Sequence, residues 1–255
     1  MKIALIQFDT IWEDKHANLK YIEDKILSLS NDIDLVVLPE MFTTGFTMNP
    51  QNVAEQENGT TLKAVQNLAK LKDIAIVGSW VTEEDQKYYN RLYFVFPDGN
   101  YKTYNKRHLF TLAGEEKVYE PGTEKLIVSY KGWNICPLVC YDLRFPVYSR
   151  IVNQNYDVLL YVASWPDRRI YAWDSLLKAR AIENMSYVVG VNRFGTDPNR
   201  IEYSGHSQTL DYMGNYLIEP FSDQDIKIIE LDKEQLLKAR TKFAFLNDAD
   251  EFEIK

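Results

Sequence analysis

The sequence predicts an α/β fold in a single domain, residues 1–255, with a C-terminal extension from about residue 240. Three observations carry that expectation. Short apolar runs alternate with segments of helical periodicity from the first residues onward, the pattern of layered sheet and helix. Pro97-Asp98-Gly99-Asn100 separates two apolar runs as a hairpin turn, which argues against an entirely parallel sheet and for a mixed one. The 255 residues, 45% hydrophobic and 26% charged, are enough for one large core.

The elements follow in order. Ile3 to Phe8 reads as a strand, and Leu19, Ile22, Ile26 and Leu29 then recur at helical spacing. Leu35 to Leu38 is a compact buried strand stopped by Pro39-Glu40. Leu62, Val65, Leu68 and Ala69 mark a second helix, and Ile74 to Val77 a third strand closed by Gly78. Arg91 to Phe96 and Tyr101 to Tyr104 flank the hairpin turn. The run from Trp133 ends at Cys140, and Pro146 opens a helix through about Asn153, because proline suits a first helical position. Val158 to Val162 is strand, Trp173 to Ser186 helix, and Tyr187 to Val191 strand. Ser207 to Asp211 and Tyr216 to Ile218 pair around Met213-Gly214-Asn215. Ile226 to Leu231 is the last strand, before a short helix through Ala239 and a tail carrying Phe243, Phe245 and Leu246.

Composition excludes several classes. A net charge of −8 with no basic stripe argues against nucleic acid. No apolar run reaches the length of a membrane span, and the N-terminus turns polar too early for a secretory signal. The two cysteines, Cys136 and Cys140, would stand about 13 Å apart on one strand, too far for a disulfide. A reduced, cytoplasmic protein is expected.

Chemistry points to the strand end at Cys140. A thiol entering a turn from a buried strand can be held out to substrate on rigid backbone, although most free cysteines are simply small buried hydrophobes. The turn frees backbone N–H groups, first that of Tyr141, to face a developing negative charge. Amide hydrolysis by a thiol also needs a base, an acid for the departing ammonia and fixed positive charge. Glu40 follows Leu-Val-Val-Leu-Pro at a strand end, where clefts in α/β folds open. Lys106 follows the second hairpin strand, and Glu115 and Glu116 lie in the loop beyond. Each also reads as an ordinary surface charge. His16, His108 and His206 are too scattered to hold a metal.

With those residues in view, the chain resembles the nitrilase (carbon–nitrogen hydrolase) superfamily. Leu-Val-Val-Leu-Pro-Glu40, Asn105-Lys-Arg-His-Leu-Phe and Leu138-Val-Cys-Tyr-Asp-Leu-Arg-Phe-Pro occur in the family's order. Ala163-Ser-Trp-Pro, Lys178-Ala-Arg-Ala-Ile-Glu-Asn, Gly190-Val-Asn-Arg-Phe-Gly and Tyr203-Ser-Gly-His-Ser-Gln extend the likeness over almost the whole chain. The nearest likeness is the ω-amidase branch, through Val147-Tyr-Ser-Arg after Arg-Phe-Pro, Trp165-Pro166 and the terminal Phe245-Leu-Asn-Asp-Ala-Asp-Glu-Phe. Asn199-Arg200 departs from a frequent Asn-Gly, which should change a surface turn.

The resemblance implies a four-layer αββα sandwich that pairs as a homodimer through its helical faces. It implies that Cys140 forms a thioester, that Glu40 moves protons, and that Lys106 and the Tyr141 N–H hold the oxyanion. The second glutamate maps to Glu115, with neighbouring Glu116 the alternative. No metal or organic cofactor is expected. The implied substrates are short α-keto acid monoamides such as 2-oxoglutaramate or 2-oxosuccinamate; deaminated glutathione or an N-carbamoyl compound is the alternative. Tyr141, Arg144 and Arg168 are candidates for the substrate carboxylate, and Phe42 and Trp165 for the pocket walls.

Overall fold

The computed structural model describes residues 1–254. Its elements are β1 (Lys2–Gln7), α1 (Lys15–Ser28), β2 (Leu35–Val37), α2 (Pro50–Val53), β3 (Glu55–Gln56), α3 (Thr60–Lys72), β4 (Ala75–Glu84), β5 (Lys87–Val95), β6 (Tyr101–Asn105), β7 (Val128–Tyr130) and β8 (Trp133–Val139). There follow α4 (Pro146–Ser149), β9 (Val158–Ala163), α5 (Ile170–Asn184), β10 (Tyr187–Asn192), β11 (Phe194–Thr196), β12 (Glu202–Ser204), β13 (Ser207–Leu210), β14 (Tyr216–Phe221), β15 (Asp225–Glu230) and α6 (Lys233–Phe243).

Strand β1 shows how the layers arise. Alternate side chains of a strand face opposite ways. Ile3 and Leu5 join Val139, Leu160 and Val162 in the core between two sheets, whereas Ala4 and Ile6 meet Ile22 and Ile26 of α1 and Leu62 and Val65 of α3. One sheet runs in the order β15-β1-β2-β4-β5-β6, with β3 beside β4; the other runs β14-β13-β10-β9-β8-β7. Helix α5 covers the second sheet's outer face. A Cβ on Gly190 would come within 2.7 Å of Leu177 and 2.9 Å of Trp173, so this strand position needs a residue without a side chain. The result is the αββα sandwich. Each fully buried aliphatic side chain in these layers contributes about 1.5–3 kcal/mol.

Several elements depart from the sequence expectation. The helix expected from Pro146 to Asn153 is one turn long. Arg150 is extended, with ψ 133°, and Ile151 N donates to Asn184 Oδ1 at 2.9 Å, so a tertiary bond ends the helix. A hairpin missed in the charged Glu84-Asp-Gln-Lys stretch turns at Asp85 and Gln86, both with positive φ. Strand β7 was also missed; it pairs with β8 across Lys131-Gly132. Helix α6 continues past Ala239 to Phe243. Arg240 within it is buried and donates to the carbonyls of Met185 at 2.8 Å and Tyr156 at 2.9 Å, so the body of the fold extends beyond residue 240. The expected change at Asn199-Arg200 is not a change of backbone class: Arg200 itself takes φ +61°, the conformation a glycine would supply.

Candidate active site

Glu40, Lys106 and Cys140 stand just beyond the carboxyl ends of β2, β6 and β8. Beyond β2 the ladder to β4 is interrupted. Leu38 N and Phe42 N still donate to Val77 O and Ser79 O, while Met41 N turns to Ser79 Oγ at 2.9 Å and Met41 takes φ +45°. Glu40 sits at that kink. Lys106 is held by extension of the β5–β6 ladder, its N–H donating to Asn90 O at 3.0 Å.

Buried charges need close partners, and these have them. Lys106 Nζ lies 2.8 Å from Glu40 Oε1 and 2.9 Å from Glu115 Oε2, with all three side chains out of contact with solvent. Asn90 Nδ2 donates to Glu40 at 2.7 Å and to Glu115 at 3.3 Å. Phe110 N donates to Glu115 Oε2 at 2.6 Å and Ser164 N to Glu40 Oε2 at 2.8 Å. Glu115 is therefore the glutamate on Lys106; Glu116 is exposed.

Cys140 takes φ +44°, a left-handed conformation that is strained for a non-glycine residue and recurs at functional turns. Buried Asp142 clamps this turn. Its Oδ2 accepts from Val139 N at 3.0 Å and Tyr104 OH at 2.8 Å; its Oδ1 accepts from His108 N at 3.1 Å and lies 2.8 Å from His108 Nδ1. The turn after Cys140 is a 3-10 helix, and Tyr141 N is one of the first N–H groups, which such a turn leaves without an internal acceptor.

Burial pushes the Cys140 thiol well above its ordinary pKa, and the Glu40 charge acts in the same direction; Lys106 and the Ser164 N–H oppose them. Cys140 thus rests as a thiol. Burial works against the Lys106 charge, but Glu115 and Glu40 outweigh it and hold the lysine above its ordinary value. Burial raises the Glu115 carboxyl, with Lys106 pulling it down and Glu40 pushing it up.

Above these groups opens a cleft of about 70 Å³. Cys140, 8% exposed, reaches its surface, with walls that include Phe46, Phe110, Tyr141, Arg144, Trp165, Arg169, Ile201 and Tyr203. Phe42, expected as a wall, is not one: it is fully buried, edge-on to Trp80 at 5.8 Å, in the layer between β4 and the helices. Phe46, one turn later, faces the cleft and sits 5.1 Å from Lys106 Nζ. Arg168 is exposed, and its neighbour Arg169 lines the cleft instead. Asn90 and Ser164 were overlooked. A buried asparagine inside an apolar strand was the available signal for the first, since strands disfavour it; Ser164 acts largely through its main chain, which no side-chain pattern announces.

Such an arrangement pairs a nucleophile with a proton carrier and fixed positive charge, which suits acyl transfer. Residues 2–241 match the family model of the carbon–nitrogen hydrolases. The chain is 42% identical over 253 residues to the omega-amidase YafV of Yersinia enterocolitica, covering 99% of this chain and 98% of that protein. It is 32% identical over 250 residues to the 2-oxoglutaramate amidase of Bacillus subtilis, covering 96% of each. A CN-hydrolase superfamily protein of Xanthomonas campestris, solved with an arsenic adduct in its active site, matches with a TM-score of 0.98 at 37% identity, covering 100% of this chain and 99% of that one. Fold, strand-end residues and full-length likeness agree, and the chain belongs to the carbon–nitrogen hydrolase (nitrilase) superfamily as a hydrolase acting on amides.

Proposed function

We propose that this protein is an ω-amidase, which converts the terminal amide of a short α-keto acid monoamide, 2-oxoglutaramate or 2-oxosuccinamate, to the dicarboxylate and ammonia. The observation that carries the chemistry is Lys106 held between Glu40 and Glu115 beneath the one thiol that reaches the cleft. Likeness to the omega-amidase and the 2-oxoglutaramate amidase supports the substrate class.

Because Cys140 rests as a thiol, its proton moves to Glu40 as the sulfur bonds to the amide carbon. The carbonyl oxygen becomes an oxyanion held by Lys106 Nζ and Tyr141 N–H, donors of a kind worth about 3 kcal/mol each to a transition state. The C–N bond breaks as Glu40 returns the proton to nitrogen, releasing ammonia and leaving a thioester. Water then gives a proton to Glu40 and adds its oxygen to the thioester carbon. Collapse expels the Cys140 sulfur, which recovers the proton from Glu40, and frees the carboxylic acid, which gives its remaining proton to the solvent to become the carboxylate. Glu115 keeps Lys106 aimed throughout. Exposed apolar side chains on the outer helices, Ile182 of α5 and Leu237 of α6, support a homodimer paired through that layer.

Steady-state hydrolysis of 2-oxoglutaramate, deaminated glutathione, glutamine and a simple nitrile tests the reading. The keto-acid monoamide should be turned over fastest, with a mass adduct on Cys140 that Cys140→Ala abolishes. Absence of turnover on both keto-acid monoamides would sink the substrate assignment.

A further inference from the structure

Two arginines stand in the Cys140 cleft without an anionic partner. Arg144 carries its guanidinium 4.9 Å from the Trp165 ring centre, and Arg169 holds its own 4.9 Å from that of Phe110. Both are half-buried. Among the described residues neither forms an ion pair or donates a side-chain hydrogen bond, in a chain with 37 acidic residues against 29 Lys and Arg. Elsewhere the buried arginines Arg91, Arg180 and Arg193 each meet a carboxylate. The half-buried Arg107 and Arg150 lack a carboxylate too, but donate to the carbonyls of Thr123 and Glu183; the cleft pair does neither.

Each guanidinium lies over an aromatic ring, and among the described residues no acceptor takes up its N–H groups. The two stacks are also joined. Trp165, which carries Arg144, donates from Nε1 to the backbone oxygen of Arg169 at 2.8 Å. Trp165 is further locked by Asn192, which accepts from its N–H at 2.7 Å and donates to its carbonyl at 2.9 Å. Holding like charges together away from bulk water is unfavourable. Burial lowers the Arg169 pKa, and crowding by Arg168 and Arg144 acts in the same direction. A bound anion relieves that crowding and takes up the idle donors. A carboxylate suits the site because it is planar and matches the guanidinium fork with two parallel hydrogen bonds.

We infer that Arg169, together with Arg144, forms the seat for the carboxylate that the substrate carries away from its scissile amide, which makes Arg169 a specificity-determining residue. This rests on the ω-amidase reading and names the group that selects its substrates. The dicarboxylate product should occupy the same seat and shield Cys140.

The test is protection of Cys140 from iodoacetamide, followed by mass spectrometry, with 2-oxoglutarate or its uncharged dimethyl ester as the protecting ligand. Each variant is referred to its own rate without ligand. Wild type should be protected by the dianion far better than by the diester. Arg169→Met should raise the half-protecting concentration about thirtyfold, the scale of a hydrogen bond between charged groups. Arg144→Met should raise it as well, and Arg169→Lys should recover part of the loss, keeping the charge but not the fork. Equal protection by dianion and diester, or an Arg169→Met value within about threefold of wild type, well short of a charged hydrogen bond, overturns the seat. Protection through Arg169 in a protein that does not hydrolyse 2-oxoglutaramate would leave the seat standing and remove the substrate assignment instead.

Discussion

Glu40 accepts the backbone N–H of Ser164, 124 residues away, on one carboxylate oxygen at 2.8 Å and gives the other to Lys106 at 2.8 Å. The contact joins the end of β9 in one sheet to the kink after β2 in the other, so the orientation of the proton carrier depends on how the two sheets dock. Every neighbour of this carboxylate in the set of Ser164 N, Asn90 Nδ2 and Lys106 Nζ is a donor. Glutamine at position 40 would turn an NH₂ group toward at least one of them. Glu40→Gln should therefore lose about 10²–10⁴-fold in amide turnover, the usual worth of acid–base catalysis. Its Cys140 should alkylate at lower pH than in wild type, because the Glu40 charge is one of the groups that raise the thiol. Steady-state rates and the pH profile of iodoacetamide labelling check both; unchanged turnover would remove Glu40 from the proton path.

Lys106 contributes to the pH dependence of stability at the alkaline end. Its folded pKa lies above the ordinary 10.5, so its contribution is fully present below that value and is lost as pH rises through the folded one. Urea denaturation of the wild type should show no loss from this group between neutrality and about pH 10. Lys106→Met strands two buried carboxylates and should lower stability by about 3–5 kcal/mol at pH 7.5. The sign of the pH dependence then reverses. Burial raises the Glu115 carboxyl, and without Lys106 to pull it down that group favours the folded state when protonated, so this variant should be more stable at pH 5 than at pH 7.5. Equal stability at the two pH values would contradict the burial of Glu115.

The parts of this site that could be read from the sequence are those where one side chain ends a strand. Glu40 and Cys140 each follow an apolar run, Lys106 follows the second hairpin strand, and their motifs keep the expected order. What escaped was assembled by folding. Asn90 comes from the middle of β5, and Ser164 contributes its main-chain N–H. Phe42 was mistaken for a wall because the kink at Met41 changes which residues after β2 face the cleft. Arg168 was the expected candidate and Arg169 went unnoticed because the one-turn helix at Asp167–Arg169, which orients them, has no apolar periodicity to set its phase. The longer β strands were legible from their apolar runs, whereas β3, β7, β11 and β12, two or three residues each, are too short to show a pattern, and the Asp85-Gln86 hairpin turn lacks the glycine that usually marks left-handed positions.

Asp142 joins the Lys106 loop to the Cys140 turn through its four contacts on His108, Tyr104 and Val139. An asparagine keeps the shape but offers one acceptor oxygen and turns an NH₂ group toward donors. Asp142→Asn should lower stability by about 1–3 kcal/mol, the penalty for a buried donor left unsatisfied. It should also reduce kcat more than it raises KM, since the nucleophile's turn loosens while the cleft walls stay. Chemical denaturation and steady-state kinetics read the two effects. A stable variant with wild-type kcat would show that the clamp does not position Cys140.

Arg200 offers a test in the opposite direction. It is exposed, sits at φ +61°, and its N–H closes the turn onto Asp197 O at 2.9 Å. Asp197 also accepts from Ile201 N at 2.9 Å, so the backbone is fixed whatever the side chain at position 200. A left-handed residue with a Cβ is strained by about 1–2 kcal/mol, whereas glycine adopts this conformation freely but loses more entropy on folding. The first effect is the larger one here, and Arg200→Gly should raise stability by about 0.5–1 kcal/mol. Ile201 and Tyr203, which line the cleft, keep their positions, so amide turnover should match wild type. Urea denaturation decides the sign: a loss of stability would mean that the Arg200 side chain supplies a contact outweighing its backbone strain.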